Sequence, residues 1–160
     1  MFSLYAPPSE RIYAGALVSF LVLSRFDVAT ATPSMPYVVI SITDPERPEA
    51  VIAESPNRRA VLRMCFHDKS GARPAVARKV PMTREDAQAI ISFVRAHLAG
   101  VQLIVCQCEA GISRSAAVAA ALSRILQGED HFFFEHYAPN DWVYHTLLGA
   151  TDEGKINNAA

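Results

Sequence analysis

Apolar residues in this chain fall in short blocks with two different spacings. Residues 17–24 (LVSFLVLS), 37–42 (YVVISI), 60–66 (AVLRMCF) and 101–107 (VQLIVCQ) are nearly continuous apolar runs. Runs of that length, rich in branched residues and bounded by turns, predict buried β-strands. After the third run the spacing changes. In TREDAQAIISFVRAHLAG, residues Ala87, Ile90, Ile91, Val94 and Leu98 recur three or four apart and mark one face of a helix. Thr83, with Asp86 three positions on, predicts its N-cap, and Gly100 its end. SRSAAVAAALSRILQ (113–127) predicts a buried helix ended by Gly128, and DWVYHTLLGA (141–150) a further helix capped by Asn140. A short helical segment is expected behind Ser24, which has Asp27 at the same capping spacing. TDPERP reads as a turn and GARPAVARKVP (71–81) as a loop.

Strands separated by helices imply an α/β fold. The expectation is a single domain over 1–152 with a mainly parallel central sheet flanked by helices, followed by a flexible tail over 153–160. In such sheets ligands sit beyond the carboxyl ends of the strands, which draws attention to the segment after 101–107. The aromatic stretch HFFFEHYAPNDWVYHTLL is expected to pack beneath that segment, its rings mostly in the core.

Composition narrows the class. The chain has 160 residues, enough for a real core, and only 19% of them are charged. A net charge of -1 gives no bulk reason to expect nucleic-acid or membrane binding. Charge is nevertheless unevenly placed. Between Arg58 and Arg84 there are eight basic residues against one acid, Asp68, a local positive field suited to an anionic ligand. Three cysteines, Cys65, Cys106 and Cys108, make a poor disulfide framework and point to a reducing, cytoplasmic setting. Cys-x-Cys offers at most two ligands, so neither a metal nor another cofactor is expected. AGALVSFLVL (14–23) is too short to span a bilayer. Arg25 and Asp27 between it and ATA (29–31) argue for a strand rather than a secretion signal.

The chemistry concentrates in LIVCQCEAGISRSAAVAAAL (103–122). A strand that turns tightly into a helix presents successive backbone N–H groups, and the helix start adds partial positive charge. Cys108 opens the loop, where those dipoles and Arg114 would favour its thiolate. Gly111 lets the backbone turn. Arg114 can offer a planar fork to two phosphate oxygens, and Ser115 can donate to the cysteine sulfur. Glu109, Ala110, Gly111, Ile112 and Ser113 supply the anion cradle.

The stretch CEAGISRS resembles the signature of the cysteine-dependent protein tyrosine phosphatases: cysteine, five residues, arginine, then serine or threonine. It is most similar to the compact dual-specificity subgroup and its small bacterial relatives. No long extra segment is visible that would build a deep phosphotyrosine cleft. The resemblance implies nucleophilic attack by Cys108, a phosphocysteine intermediate and hydrolysis by water. It also implies an aspartate general acid upstream of the cysteine. Asp68, in CFHDKSG, is the choice and Asp44 the fallback; His67 reads as a half-buried structural residue. The implied partner is a phosphorylated substrate, by default a phosphoprotein. A monomer is expected, although the sequence leaves the oligomeric state open. Phosphoinositides, inositol phosphates and nucleic-acid 5′-phosphate ends are alternatives. So are a non-catalytic phosphate-binding module, a rhodanese-like sulfurtransferase and an arsenate reductase. One position departs from the pattern: Gln107 stands where such proteins usually carry histidine. Cys106 is expected in the core, about 6.5–7 Å from Cys108 along the strand, rather than as a redox partner.

Overall fold

The computed structural model describes residues 2–69 and 79–158, with side chains up to residue 151. The chain has strands β1 (Ser19–Leu23), β2 (Tyr37–Thr43), β3 (Arg58–Cys65) and β4 (Leu103–Gln107). Its helices are α1 (Arg25–Val28), α2 (Arg84–His97), α3 (Arg114–Gln127), α4 (His131–His136) and α5 (Asp141–Asn158). The strands form one sheet in the order β1-β4-β2-β3, and every pairing is parallel. The single-domain α/β fold expected from the alternation is present. The loop expected at 71–81 lies, for 71–78, outside the described residues.

Burial follows strand order. The central strands β2 and β4 are buried along their whole length, which is why they read as unbroken apolar runs. β3 is an edge strand and mostly accessible. Its three arginines, Arg58, Arg59 and Arg63, discourage pairing with another chain along that edge. The opposite edge, β1, is met by an antiparallel bridge from Tyr13 to Phe20.

The two faces are covered unequally. The larger core cluster joins Phe20, Ile40 and Ile104 to the inner sides of α2, α3, α4 and α5. The smaller cluster, around Leu21, Val39 and Val105, is closed by Val28 of α1 and by irregular chain such as Ala50 and Ile52. Sidedness of this kind places one long helix, α3, directly behind β4. Residues Ala116 to Leu122 of α3 are all buried, and the small side chains let the helix lie close to the sheet.

Local signals behave as read. Thr83 Oγ1 accepts from the Asp86 N–H at 3.1 Å while the Asp86 carboxylate accepts from the Thr83 N–H at 2.8 Å, a reciprocal cap. Ser24 accepts from the Asp27 N–H at 3.0 Å. Gly128 ends α3 with φ +79. α5 runs on past the expected 141–150. Short α4 is the element that sequence periodicity did not reveal. Phe133 of α4 is fully buried, and Phe132 stacks on Tyr13 at 4.6 Å between centroids. No helix among the described residues is long and apolar enough to cross a membrane.

Candidate active site

β4 ends at Gln107, and the next six residues turn into α3. The turn depends on Gly111, which has φ +70; a Cβ there would lie 2.5 Å from the Ser24 nitrogen and 2.6 Å from the Leu23 carbonyl carbon. Both obstacles are backbone, so neither can swing away. Gly111→Ala is therefore expected to lower the melting temperature by several degrees, from a cost of at least about 2 kcal/mol. Thermal unfolding within a degree of wild type would mean the loop tolerates a side chain there.

Three of the loop's carbonyls are held from outside. Glu109 O accepts from the Arg25 N–H at 3.1 Å, Ile112 O from Ala138 at 3.1 Å and Ser113 O from Asn140 at 3.1 Å. The N–H groups of residues 109–113 have no acceptor among the described residues. A turn braced through its carbonyls, with a run of unsatisfied amides, is an anion cradle. The Glu109 side chain faces away from this work. It pairs with Arg25 at 2.9 Å and with Arg47 at 3.2 Å, tying the loop to the start of α1 and to the β2–β3 connection. Arg25 also donates to the Pro48 carbonyl.

Cys108 is 2% exposed, and its Sγ lies 3.0 Å from Ser115 Oγ. Arg114 is 4% exposed. Its Nη1 donates to Asp44 Oδ1 at 2.6 Å and to the Phe66 carbonyl at 2.7 Å. Its Nε is buried without a hydrogen-bond partner among the described residues. One edge of the guanidinium is thus anchored, and a buried donor on the other side is unsatisfied, an arrangement that a second anion would complete. Asp44 is engaged by Arg114.

Asp68 sits three residues beyond β3. Its Oδ1 accepts from Ser113 Oγ at 2.8 Å and from Asn140 Nδ2 at 2.7 Å. Asn140 has two tasks, because its Oδ1 also caps α5 by accepting from the Val143 N–H at 3.0 Å. The structure therefore brings Cys108, Arg114, Ser115 and Asp68 to one loop. His67 is a bracing residue: its Nδ1 accepts from the Val80 N–H at 2.8 Å, so its Nε2 carries the proton shared with Glu46 at 2.7 Å. The bond to His67 holds the Glu46 carboxyl below its ordinary range.

Three features were not legible in the chain. The brace of Glu109 by Arg25 and Arg47 joins residues far apart in sequence. The basic segment is partly compensated, with Arg58 on Glu54 at 3.3 Å and Arg63 on Glu49 at 3.6 Å. Those acids precede the segment in sequence; Arg73 and Arg78 lie outside the described residues. Gln107 is fully buried and donates from Nε2 to the Cys108 carbonyl at 2.9 Å. Cys106 is buried as expected and all three cysteines are free. Burial, and then the neighbouring Cys108, push the Cys106 thiol far above its ordinary range.

No protein-family model and no curated protein matches the chain. Solved structures do. A mouse putative dual specificity phosphatase complexed with zinc tungstate aligns at TM-score 0.60 and 15% identity, over 99% of this chain and 95% of that one. A human tyrosine phosphatase-like serine/threonine/tyrosine-interacting protein aligns at TM-score 0.56 and 17% identity, over 88% and 93%. Tk-PTP, in its active form, aligns at TM-score 0.54 and 14% identity, over 94% and 99%. With the strand–loop–helix geometry above, these alignments show that the chain has the fold of the cysteine-dependent protein tyrosine phosphatase superfamily.

Proposed function

We propose that the protein is a cysteine-dependent phosphatase that hydrolyses phosphate monoesters of proteins, on tyrosine or on serine and threonine. The observation that carries this reading is the loop 108–114, which combines a buried thiol, unsatisfied amides and an anchored arginine with an unpartnered buried donor. The tungstate held by the mouse structural relative is a tetrahedral oxyanion, the shape such a cradle would receive.

The geometry supports definite roles. Cys108 attacks phosphorus as the thiolate, an S–P bond forms and the P–O bond to the substrate breaks. Loop amides and Arg114 stabilise the charge on the equatorial oxygens. The proton for the leaving oxygen comes from Asp68, which Ser113 and Asn140 hold at the rim of the loop. Water then attacks phosphorus, Asp68 takes its proton, and the sulfur leaves with a hydrogen bond from Ser115. Asp44 orients Arg114 and is not available as the acid while it pairs at 2.6 Å.

Hydrolysis of 4-nitrophenyl phosphate, inhibited by vanadate or tungstate, tests the reading; no turnover together with tight oxyanion binding would favour a non-catalytic phosphate binder. Asp68→Asn is expected to slow hydrolysis of an alkyl phosphate on the order of 10²–10⁴-fold and that of the activated aryl ester far less. Equal slowing of both esters with no gain in the phosphocysteine adduct would make Asp68 a structural residue.

A further inference from the structure

One rung of the sheet is polar where its neighbours are apolar. Leu23 of β1, Gln107 of β4, Ser41 of β2 and Arg63 of β3 are successive cross-strand partners. Their strand neighbours at alternate positions, Leu21, Val39 and Val105, belong to the smaller core cluster. Ser41 and Gln107 are fully buried. Two polar side chains in such a place are costly unless each is bonded.

The bonds run in one direction. A guanidinium only donates, so Arg63 Nη1 donates to Ser41 Oγ, at 3.4 Å, while also holding the Ala50 carbonyl at 2.7 Å. The hydroxyl proton of Ser41 goes to Gln107 Oε1 at 2.5 Å. Gln107 Nε2 then donates to the Cys108 carbonyl at 2.9 Å. Turning the amide over would set its oxygen against the carbonyl oxygen of Cys108, so the network admits only this orientation. The rung thus carries a chain of donors from a surface cation to the main chain of the nucleophile.

That carbonyl belongs to the Cys108–Glu109 peptide. Drawing electron density toward its oxygen makes the Glu109 N–H a stronger donor, and this amide is the first of the loop amides without an acceptor among the described residues. Bonds in series polarise one another most where water is absent. We propose that the rung Arg63–Ser41–Gln107 activates Cys108 through this peptide, at the place where proteins with this loop pattern usually carry histidine. Ser41 and Arg63 are positioning residues; they do not touch the substrate. The inference rests on the phosphatase reading.

The test is the rate of Cys108 alkylation by iodoacetamide in the full chain, assigned to residues by mass spectrometry, at pH 6 and pH 9.5, with and without tungstate. Cys65, which is exposed, is replaced by serine. Ser41→Ala and Gln107→Leu should each lower the pH 6 rate about fivefold, the equivalent of one net hydrogen bond, and leave the pH 9.5 rate within about twofold. Ser41→Thr, which keeps the hydroxyl, should restore the wild-type ratio, and Arg63→Met should lower the pH 6 rate about twofold. An unchanged ratio in folded Ser41→Ala overturns the inference and leaves the phosphatase reading standing. If Ser41→Ala does not fold, Arg63→Met decides, and an unchanged ratio there has the same force. A wild-type Cys108 that neither reacts at pH 6 nor is protected by tungstate overturns both.

Discussion

Cys108→Ser is expected to lose more than about 10⁴-fold in turnover of 4-nitrophenyl phosphate. It should still bind tungstate within a few-fold of wild type. The two effects separate because they come from different atoms. Serine is close in size to cysteine and would occupy the same buried site beside Ser115, but its hydroxyl does not ionise at working pH and attacks phosphorus poorly. In the proposed reading the oxyanion is held by the loop amides and Arg114, which the substitution leaves in place. Turnover is read from released nitrophenol and binding from calorimetry with tungstate. A mutant as active as wild type would remove Cys108 as the nucleophile.

Arg114→Lys should be nearly as damaging, although it keeps the charge. Nη1 of Arg114 is committed to Asp44 and the Phe66 carbonyl, and its Nε lies buried on another side of the same rigid plane. A lysine has one compact ammonium and cannot both satisfy Asp44 and reach an anion from the side. Its charge is therefore spent on the aspartate. The expected loss is about 10²–10³-fold in kcat, the usual size for one transition-state donor, with a weakening of about tenfold in tungstate binding. A change below about threefold in both would mean that the arginine serves the fold and not the anion.

The parts of this account that were legible in the chain are local ones. The loop could be read because a nucleophile, a turn glycine, an arginine and a hydroxyl lie within eight consecutive residues between two apolar blocks. The helix at Arg84–His97 could be read because its cap and its apolar face obey a helical period. What could not be read depends on distance in sequence. Asp44 and Asp68 are both acids in turns after strands; which one meets Arg114 and which meets Ser113 is decided by strand order. The polar rung needs the register of three strands before Ser41, Arg63 and Gln107 become neighbours. The helix at His131–His136 carries three consecutive phenylalanines, which have no helical period, and Asp130 before it makes no side-chain capping bond. Its position is set by tertiary packing of Phe133 and the rings of Phe2 and Tyr13.

The most direct measurement of the central claim is a search for the covalent intermediate. The protein is mixed with an aryl phosphate, quenched in acid within seconds, digested and analysed by mass spectrometry. The account expects a phosphoryl group on Cys108, absent from Cys65, Cys106 and the Cys108→Ser protein. Its yield should rise when Asp68→Asn slows the second step. Turnover with no adduct on Cys108, continuing undiminished in Cys108→Ser, would contradict the account.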